Sequence, residues 1–312
     1  MKEFRIINGK KIHPYVGGVK RKPKKTAKAI PVKNAFTPPY SLTLFKDPLD
    51  DRDFSSANNP TLFKADERVL SLSKVDYTSE MSPIKNQGNL GSCVSFAAAA
   101  MKEWQERKEH SSEVKEGKRD HRKGKEYDYS EAWIYWNCKK IDGAPNSEGT
   151  YLRSAMKVLN QIGVPTEKAW PYSDDKLNIG EPKRWASMVA KWALIGTYYH
   201  IGTLEEAKVT LATDGPFMMG IPCFYDFFFP INGVVKDPVD GERCYGGHAI
   251  CCVGYDDEKQ LLKFKNSWGT NWGQDGYGYI SYNYYRKHNW SSWGCKDLSV
   301  TKEMLKEARK LQ

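Results

Sequence analysis

The chain has 312 residues, 40% hydrophobic and 13% aromatic, with 48 Lys/Arg against 38 Asp/Glu and a formal net charge of +10. That length supports one or two domains with a substantial core, and no stretch approaches the ~18 consecutive apolar residues of a membrane span. Eleven basic residues and one acidic residue fall within residues 1–33, and the remaining 37 basic and 37 acidic residues cancel. The basicity therefore belongs to the tail, and the body carries no excess that would mark a nucleic-acid-binding face.

The first ten residues lack the apolar core of a secretory signal, so the expectation is a cytoplasmic protein or one exported by a non-standard route. Residues 1 to about 33 read as a basic, irregular tail. From Pro38 to Pro60 the chain is rich in Pro, Asp and Asn, with Phe45, Leu49 and Phe54 as isolated anchors. Such a strip can lie along a surface but cannot build a core.

The folded body is expected past Leu70. Ser82 to Phe96 is a glycine-punctuated polar loop running into an alanine-rich apolar helix, with Cys93 at the junction. The first N–H groups of a helix have no intrahelical partner and its dipole is positive there, which favours a thiolate. Gly88 and Gly91 permit a sharp turn, and Gln87 places a side-chain amide beside the same spot.

The helix from Cys93 is expected to end in Gln105–Lys108, before a charged loop to residue 126. Ser130 reads as the N-cap of an aromatic helix. Leu152, Ala155, Met156, Leu159 and Ile162 recur at helical spacing and stop at Gly163 and Pro165. After Pro182 the pattern changes to strands: Trp192–Ile201, Phe217–Ile221, Gly247–Tyr255, Leu261–Trp268 and Tyr277–Tyr284. One helix interrupts them, opened by the Thr203–Glu206 capping box. A helical half followed by a strand half predicts an α+β fold of two lobes with a cleft between them. Ser299–Gln312, with Met304, Ala308 and Leu311 on one face, reads as a surface helix.

Seven cysteines leave at least one unpaired, and most read as reduced thiols. Cys251 and Cys252 point to opposite faces of one strand, and a Cys223–Cys244 bridge is left open. Among six histidines, His248 stands apart, opening an apolar strand after Gly246-Gly247. Asn266 ends the next strand before the Trp/Gly-rich loop containing Trp268 and Trp272. An asparagine oxygen can fix a histidine tautomer, and an indole can shield that bond from water. No zinc spacing and no cofactor motif is present.

Gln87-Gly88-Asn89-Leu90-Gly91-Ser92-Cys93 with Phe96, then Gly247-His248-Ala249, then Asn266-Ser267-Trp268-Gly269 with Trp272-Gly273, resembles the papain-like cysteine peptidases. Glu148–Met156, Gly163 and Trp170-Pro171-Tyr172 extend the likeness over about residues 72–295. The resemblance implies a helical lobe, an antiparallel β-barrel-like lobe and a cleft between them. It assigns Cys93 as nucleophile, His248 as general base and acid, and Asn266 as its orienter. Gln87 and the Cys93 backbone N–H become the oxyanion hole, Trp268 and Trp272 support, and Gly91, Ser92, Gly149, Thr150 and Gly247 line the cleft, with no metal.

Leu90 stands where many members carry a disulfide cysteine, Val94 where they carry Trp, and Thr150 replaces one of two glycines at the cleft edge. The implied organisation is a propeptide over residues 1–70 and a catalytic domain over 71–312, helical to about 182 and β-rich from 183. The expected function is a cysteine endopeptidase acting on peptides or proteins, made as a zymogen whose own N-terminal segment inhibits it by lying through the cleft. Gly17-Gly18 or the Pro38–Asp53 strip would pass Cys93, with removal at a basic site in 20–25 or in the linker. A transpeptidase, or a silent binding module with a basic targeting arm, are the alternatives.

Overall fold

The computed structural model describes residues 5–7, 10–12, 36–55, 71–115, 127–144, 146–175 and 181–297. The chain separates into two packed units, Met1–Thr37 and Pro38–Gln312. In the first, β1 (Arg5–Ile7) pairs antiparallel with β2 (Lys10–Ile12). This short ladder lies within the tail expected to be irregular; the Asn8-Gly9 dipeptide between its strands is a favoured hairpin connection.

The second unit begins its regular structure with β3 (Lys74–Asp76) and a 3₁₀ turn at Thr78–Glu80. Then comes α1 (Cys93–Lys115), buried at every residue from Cys93 to Gln105, as its apolar composition requires. It continues past the expected stop at Lys108 because Gln, Glu, Arg and Lys are good helix formers and Lys102 pairs with Glu106 at 2.8 Å, one turn on. The Ser130 side chain caps α2 (Glu131–Ile141) by accepting from Trp133 N–H at 3.1 Å. α3 (Leu152–Gln161) ends before Gly163, which adopts φ 78°. α4 (Arg184–Ala190) was not anticipated, being only seven residues long and without an apolar face turned to the core.

The strand half holds β4 (Ile195–His200), α5 (Leu204–Thr213), β5 (Phe217–Cys223), α6 (Tyr225–Phe228), β6 (Gly246–Asp256), β7 (Leu261–Lys265), β8 (Tyr277–Ser281), α7 (Tyr282–His288) and β9 (Ser291–Asp297). The Thr203/Glu206 capping box opens α5 as expected. β8 ends earlier than its tyrosines suggest, because the Ser281 side chain accepts from Tyr284 N–H at 2.8 Å and turns the chain into α7.

The antiparallel sheet runs β4-β9-β5-β6-β7-β8, with β3 also on β6. The expected barrel-like lobe is thus an open sheet rather than a closed one. Each outer edge is met by irregular chain: His200 N–H donates to Phe54 O at 2.8 Å on β4, and Tyr279 N–H to Gly233 O at 2.8 Å on β8. Capping of this kind satisfies edge groups without closure. α1 packs on β6, α2 and α3. Cys223 and Cys244 are both unbridged thiols, so the bridge left open between them does not form. No helix among the described residues is long and apolar enough to cross a membrane, and the expected helix at 299–312 lies outside them.

A buried charge network ties these halves together. Lys85 Nζ lies 2.9 Å from Glu103 on α1 and 2.6 Å from Glu131 on α2. Ser82 donates to Glu103 and accepts from Lys265 Nζ, on β7, at 2.7 Å. Burial alone would lower the Lys85 ammonium, but Glu103, Glu131 and Asp128, the last at 2.6 Å, outweigh it and hold it above the ordinary lysine range, while burial pushes Glu131 up to about 8 against the pull of Lys85. Replacing Lys85 with Met strands two buried carboxylates and is expected to cost about 3–5 kcal/mol. Denaturant titration reads this as a lower midpoint, partly restored by adding Glu131→Gln; an unchanged Lys85→Met midpoint would contradict it.

Candidate active site

Cys93 is the first residue of α1 and is fully buried. The backbone N–H groups of Ala249, Val94 and Cys93 itself favour the charged form of its thiol. Ala249 follows His248 near the start of β6, the strand on which α1 packs. Burial pushes the Cys93 thiol up to about 11, against the pull of those N–H groups. Burial likewise pushes His248 down to about 4, with the Asn266 bond opposing. In this enclosed arrangement both groups are neutral around pH 7.

His248 Nε2 lies 2.7 Å from Asn266 Oδ1. The same oxygen accepts from Ser267 N–H at 2.8 Å, which identifies it as the carbonyl end of the amide. Nε2 must then carry the proton, leaving the Nδ1 lone pair free. Nδ1 is buried without a hydrogen-bond partner, ready to accept a proton. Trp268 lies over the imidazole with ring centroids 4.5 Å apart, backed by Phe228 at 5.9 Å, and Phe227 meets the ring edge-on at 5.7 Å. Trp272 sits one layer behind and fixes Phe227 by donating its indole N–H to Phe227 O at 3.1 Å.

Gln87 is fully buried and bound at four points. Its backbone N–H donates to Ser267 O at 2.9 Å, its Oε1 accepts from Ser267 Oγ at 2.6 Å, and its Nε2 donates to Leu90 O at 3.0 Å. One amide hydrogen of Nε2 is left over from that bond. Tyr172 donates to Gln87 O at 2.8 Å and meets Ser92 Oγ at 2.6 Å, linking two predicted site residues. Ser267, Phe227, Phe228 and the Ala249 N–H were not singled out from sequence. Phe227 and Phe228 belong to an aromatic cluster with no spacing relation to the histidine.

The Pro38–Asp53 strip runs over this centre. Leu44 N–H donates to Gly247 O at 3.0 Å and Phe45 N–H to Thr150 O at 3.1 Å, in parallel bridges to Gly247 and Tyr151. Tyr40 stacks on Trp268 with centroids 4.0 Å apart and planes 8° from parallel. Gly149, at φ 81°, admits the Thr43 carbonyl where any Cβ would collide, and Gly91 likewise admits the Thr43 side chain. Beyond the cleft, Asp47 accepts from Arg153 N–H at 3.2 Å, Ser291 Oγ at 2.8 Å and Trp293 Nε1 at 2.8 Å. Arg153 in turn pairs with Asp53 and donates to Pro48 O at 2.7 Å. Gly17-Gly18 and residues 20–25 lie outside the described residues. Among the described residues no three His, Cys, Asp or Glu side chains converge as metal ligands.

The sequence profile of the papain family cysteine proteases matches residues 72–293. The chain is 29% identical over 220 residues to an uncharacterized peptidase C1-like protein of Acanthamoeba polyphaga mimivirus, covering 66% of this chain and 67% of that one. It is 31% identical over 207 residues to a cathepsin L-like peptidase of Aedes aegypti, covering 63% of this chain and 54% of that one. Across the curated relatives compared, the chain spans 44–67% of their length. Xylellain, a cysteine protease from Xylella fastidiosa, superposes with a TM-score of 0.70 at 26% identity, covering 85% of this chain and 100% of that one. With the profile spanning residues 72–293, more than half of the chain, the chain belongs to the papain family of cysteine proteases.

Proposed function

We propose that this protein is a cysteine endopeptidase made as a self-inhibited zymogen, with Cys93, His248 and Asn266 as its catalytic residues. The observation that carries the reading is the His248–Asn266 bond, which leaves a protected Nδ1 lone pair at the start of β6, the strand on which α1 packs with Cys93 as its first residue. His248 Nδ1 takes the Cys93 proton as sulfur attacks a peptide carbonyl carbon. The carbonyl oxygen takes the negative charge, facing Gln87 Nε2 and the Cys93 backbone N–H. Collapse breaks the C–N bond, and His248 gives its proton to the leaving amine. Water, deprotonated by His248, then hydrolyses the thioester and restores the thiol.

Residues 1–70 act in this reading as the propeptide, and 71–312 as the catalytic domain, with its cleft between the helical part to about 182 and the sheet from 183. Peptide or protein chains are the substrates. The blocking element is the Pro38–Asp53 strip. The carbonyl oxygens of Leu42, Thr43 and Leu44 lie against Gly246, Gly149 and Gly247 respectively. None is offered to Gln87, which accounts for a strip that occupies the cleft without being cut. Its enclosure of Cys93 and His248 also keeps the pair neutral, so removal of the strip restores water and permits the thiolate–imidazolium state.

Gln87→Ala in the processed protein is expected to lower kcat about 10²–10³-fold; steady-state kinetics on a peptide amide checks this, and an undiminished kcat would remove Gln87 from the oxyanion hole. A synthetic peptide of residues 36–55 is expected to inhibit the processed protein. Its Asp47→Ala form should bind about tenfold or more weakly for want of three hydrogen bonds, two of them from side chains. Equal inhibition constants for the two peptides would argue against Asp47 as the strip's anchor.

A further inference from the structure

α4 is turned the wrong way round for an ordinary surface helix. Its buried positions are the alanines Ala186 and Ala190, and the Ala190 carbonyl presses so closely on Gly163 that no larger residue fits between them. The large apolar residues face outward instead: Trp185 is 47% exposed, Met188 66%, Val189 38% and Trp192 51%. They stand at i, i+3, i+4 and i+7, and Trp192 N–H donating to Val189 O at 3.1 Å continues the turn, so the four form one face. Neither indole ring stacks on another ring among the described residues. Around them Lys183, Arg184 and Lys191 are all exposed, with Glu181 the one acid between residues 181 and 192. Contiguous exposed apolar surface on a soluble body marks an interaction site.

The charge on the rim separates the occupants. A second copy docked by two-fold symmetry would bring Lys183, Arg184 and Lys191 against their own equivalents. The last described residue, Asp297, pairs with Ile195, five residues beyond α4, and residues 298–312 follow it in sequence. These carry four Lys/Arg against two Glu, again the wrong sign. A surface of anionic headgroups over hydrocarbon matches both halves of the patch. Indoles settle at the headgroup level, Met and Val reach the acyl boundary, and each Lys or Arg near the surface gains from anionic lipid.

We propose that the outward face of α4, Trp185, Met188, Val189 and Trp192 within a ring of Lys183, Arg184 and Lys191, docks this protein peripherally on an anionic lipid bilayer. Function at the Cys93 centre is independent of it, so a failure here leaves the peptidase reading untouched.

The test is co-sedimentation of the full chain with phosphatidylcholine vesicles containing about one third phosphatidylglycerol, and with pure phosphatidylcholine vesicles. The chain is expected to pellet with the first and not the second. Residues 1–33 carry a net charge of +10 and can hold anionic lipid by charge alone, so the deciding variant is Trp185→Ser with Trp192→Ser. It keeps every cation, and both positions are exposed, so its melting temperature, and its peptidase rate after removal of the amino-terminal segment, are expected to match the parent. Its partition onto anionic vesicles should fall about tenfold or more. Undiminished binding by the double variant, or no binding by the parent, would overturn the proposal. So would parent self-association in the absence of vesicles that the double variant abolishes, which would assign the face to a second copy.

Discussion

The constraint on which the arrangement depends is the half-buried Lys85, held between two carboxylates that have almost no contact with water. Glu103 and Glu131 are 1% and 2% exposed, so neither ion is tolerable without a partner. One ammonium thereby fixes the loop entering Cys93 to the middle of α1 and the first turn of α2. Lys265 continues the tie to β7 through Ser82. Asn266 is the next residue along the chain, and its neighbour Ser267 holds both ends of Gln87. The electrostatic requirement to pair these charges therefore positions the groups that surround the thiol.

The same enclosure that stabilises the centre also keeps it chemically quiet. A thiol near 11 beside an imidazole near 4 forms no ion pair at neutral pH. The sign follows from desolvation: burial penalises the charged form of each group, raising the acid and lowering the base. In the proposed account the Pro38–Asp53 strip supplies that desolvation, with Leu44 buried in the cleft and Tyr40 laid on Trp268. Asp47 and Arg153 add polar bonds that fix the strip beyond the cleft.

Much of this was legible before any coordinates. The all-round apolar helix after Cys93, the Ser130 cap, the Thr203/Glu206 capping box and the apolar strand behind His248 each have a local physical signature, and each forms as expected. Elements governed by tertiary context were harder to read. α4 turns its large residues outward, so its pattern does not announce a core-facing helix. β8 is cut short by the Ser281 cap. The barrel-like lobe proved an open sheet, because Phe54 and Gly233 cover edges that no periodicity could pair. At the site, Cys93, His248, Asn266 and Gln87 were read from motifs. Phe227 and Ser267 were not, because their roles arise from contacts across the fold rather than from spacing. The strip could be placed over the cleft only as a hypothesis, since its anchors, Arg153, Ser291 and Trp293, lie over 100 residues away in sequence.

The central claim is that one enclosed Cys93–His248 pair is catalytic and is held neutral by the segment over it. Its most direct measurement is the pH dependence of Cys93 alkylation by iodoacetamide, read by peptide mass spectrometry in the protein with its amino-terminal segment retained and in the protein after its removal. With the segment retained, labelling should climb only toward a midpoint of about 11. With it removed, labelling at neutral pH should rise by orders of magnitude and become dependent on His248. Superimposable profiles in the two forms, or labelling of the freed protein that is unaffected by His248→Ala, would contradict the account.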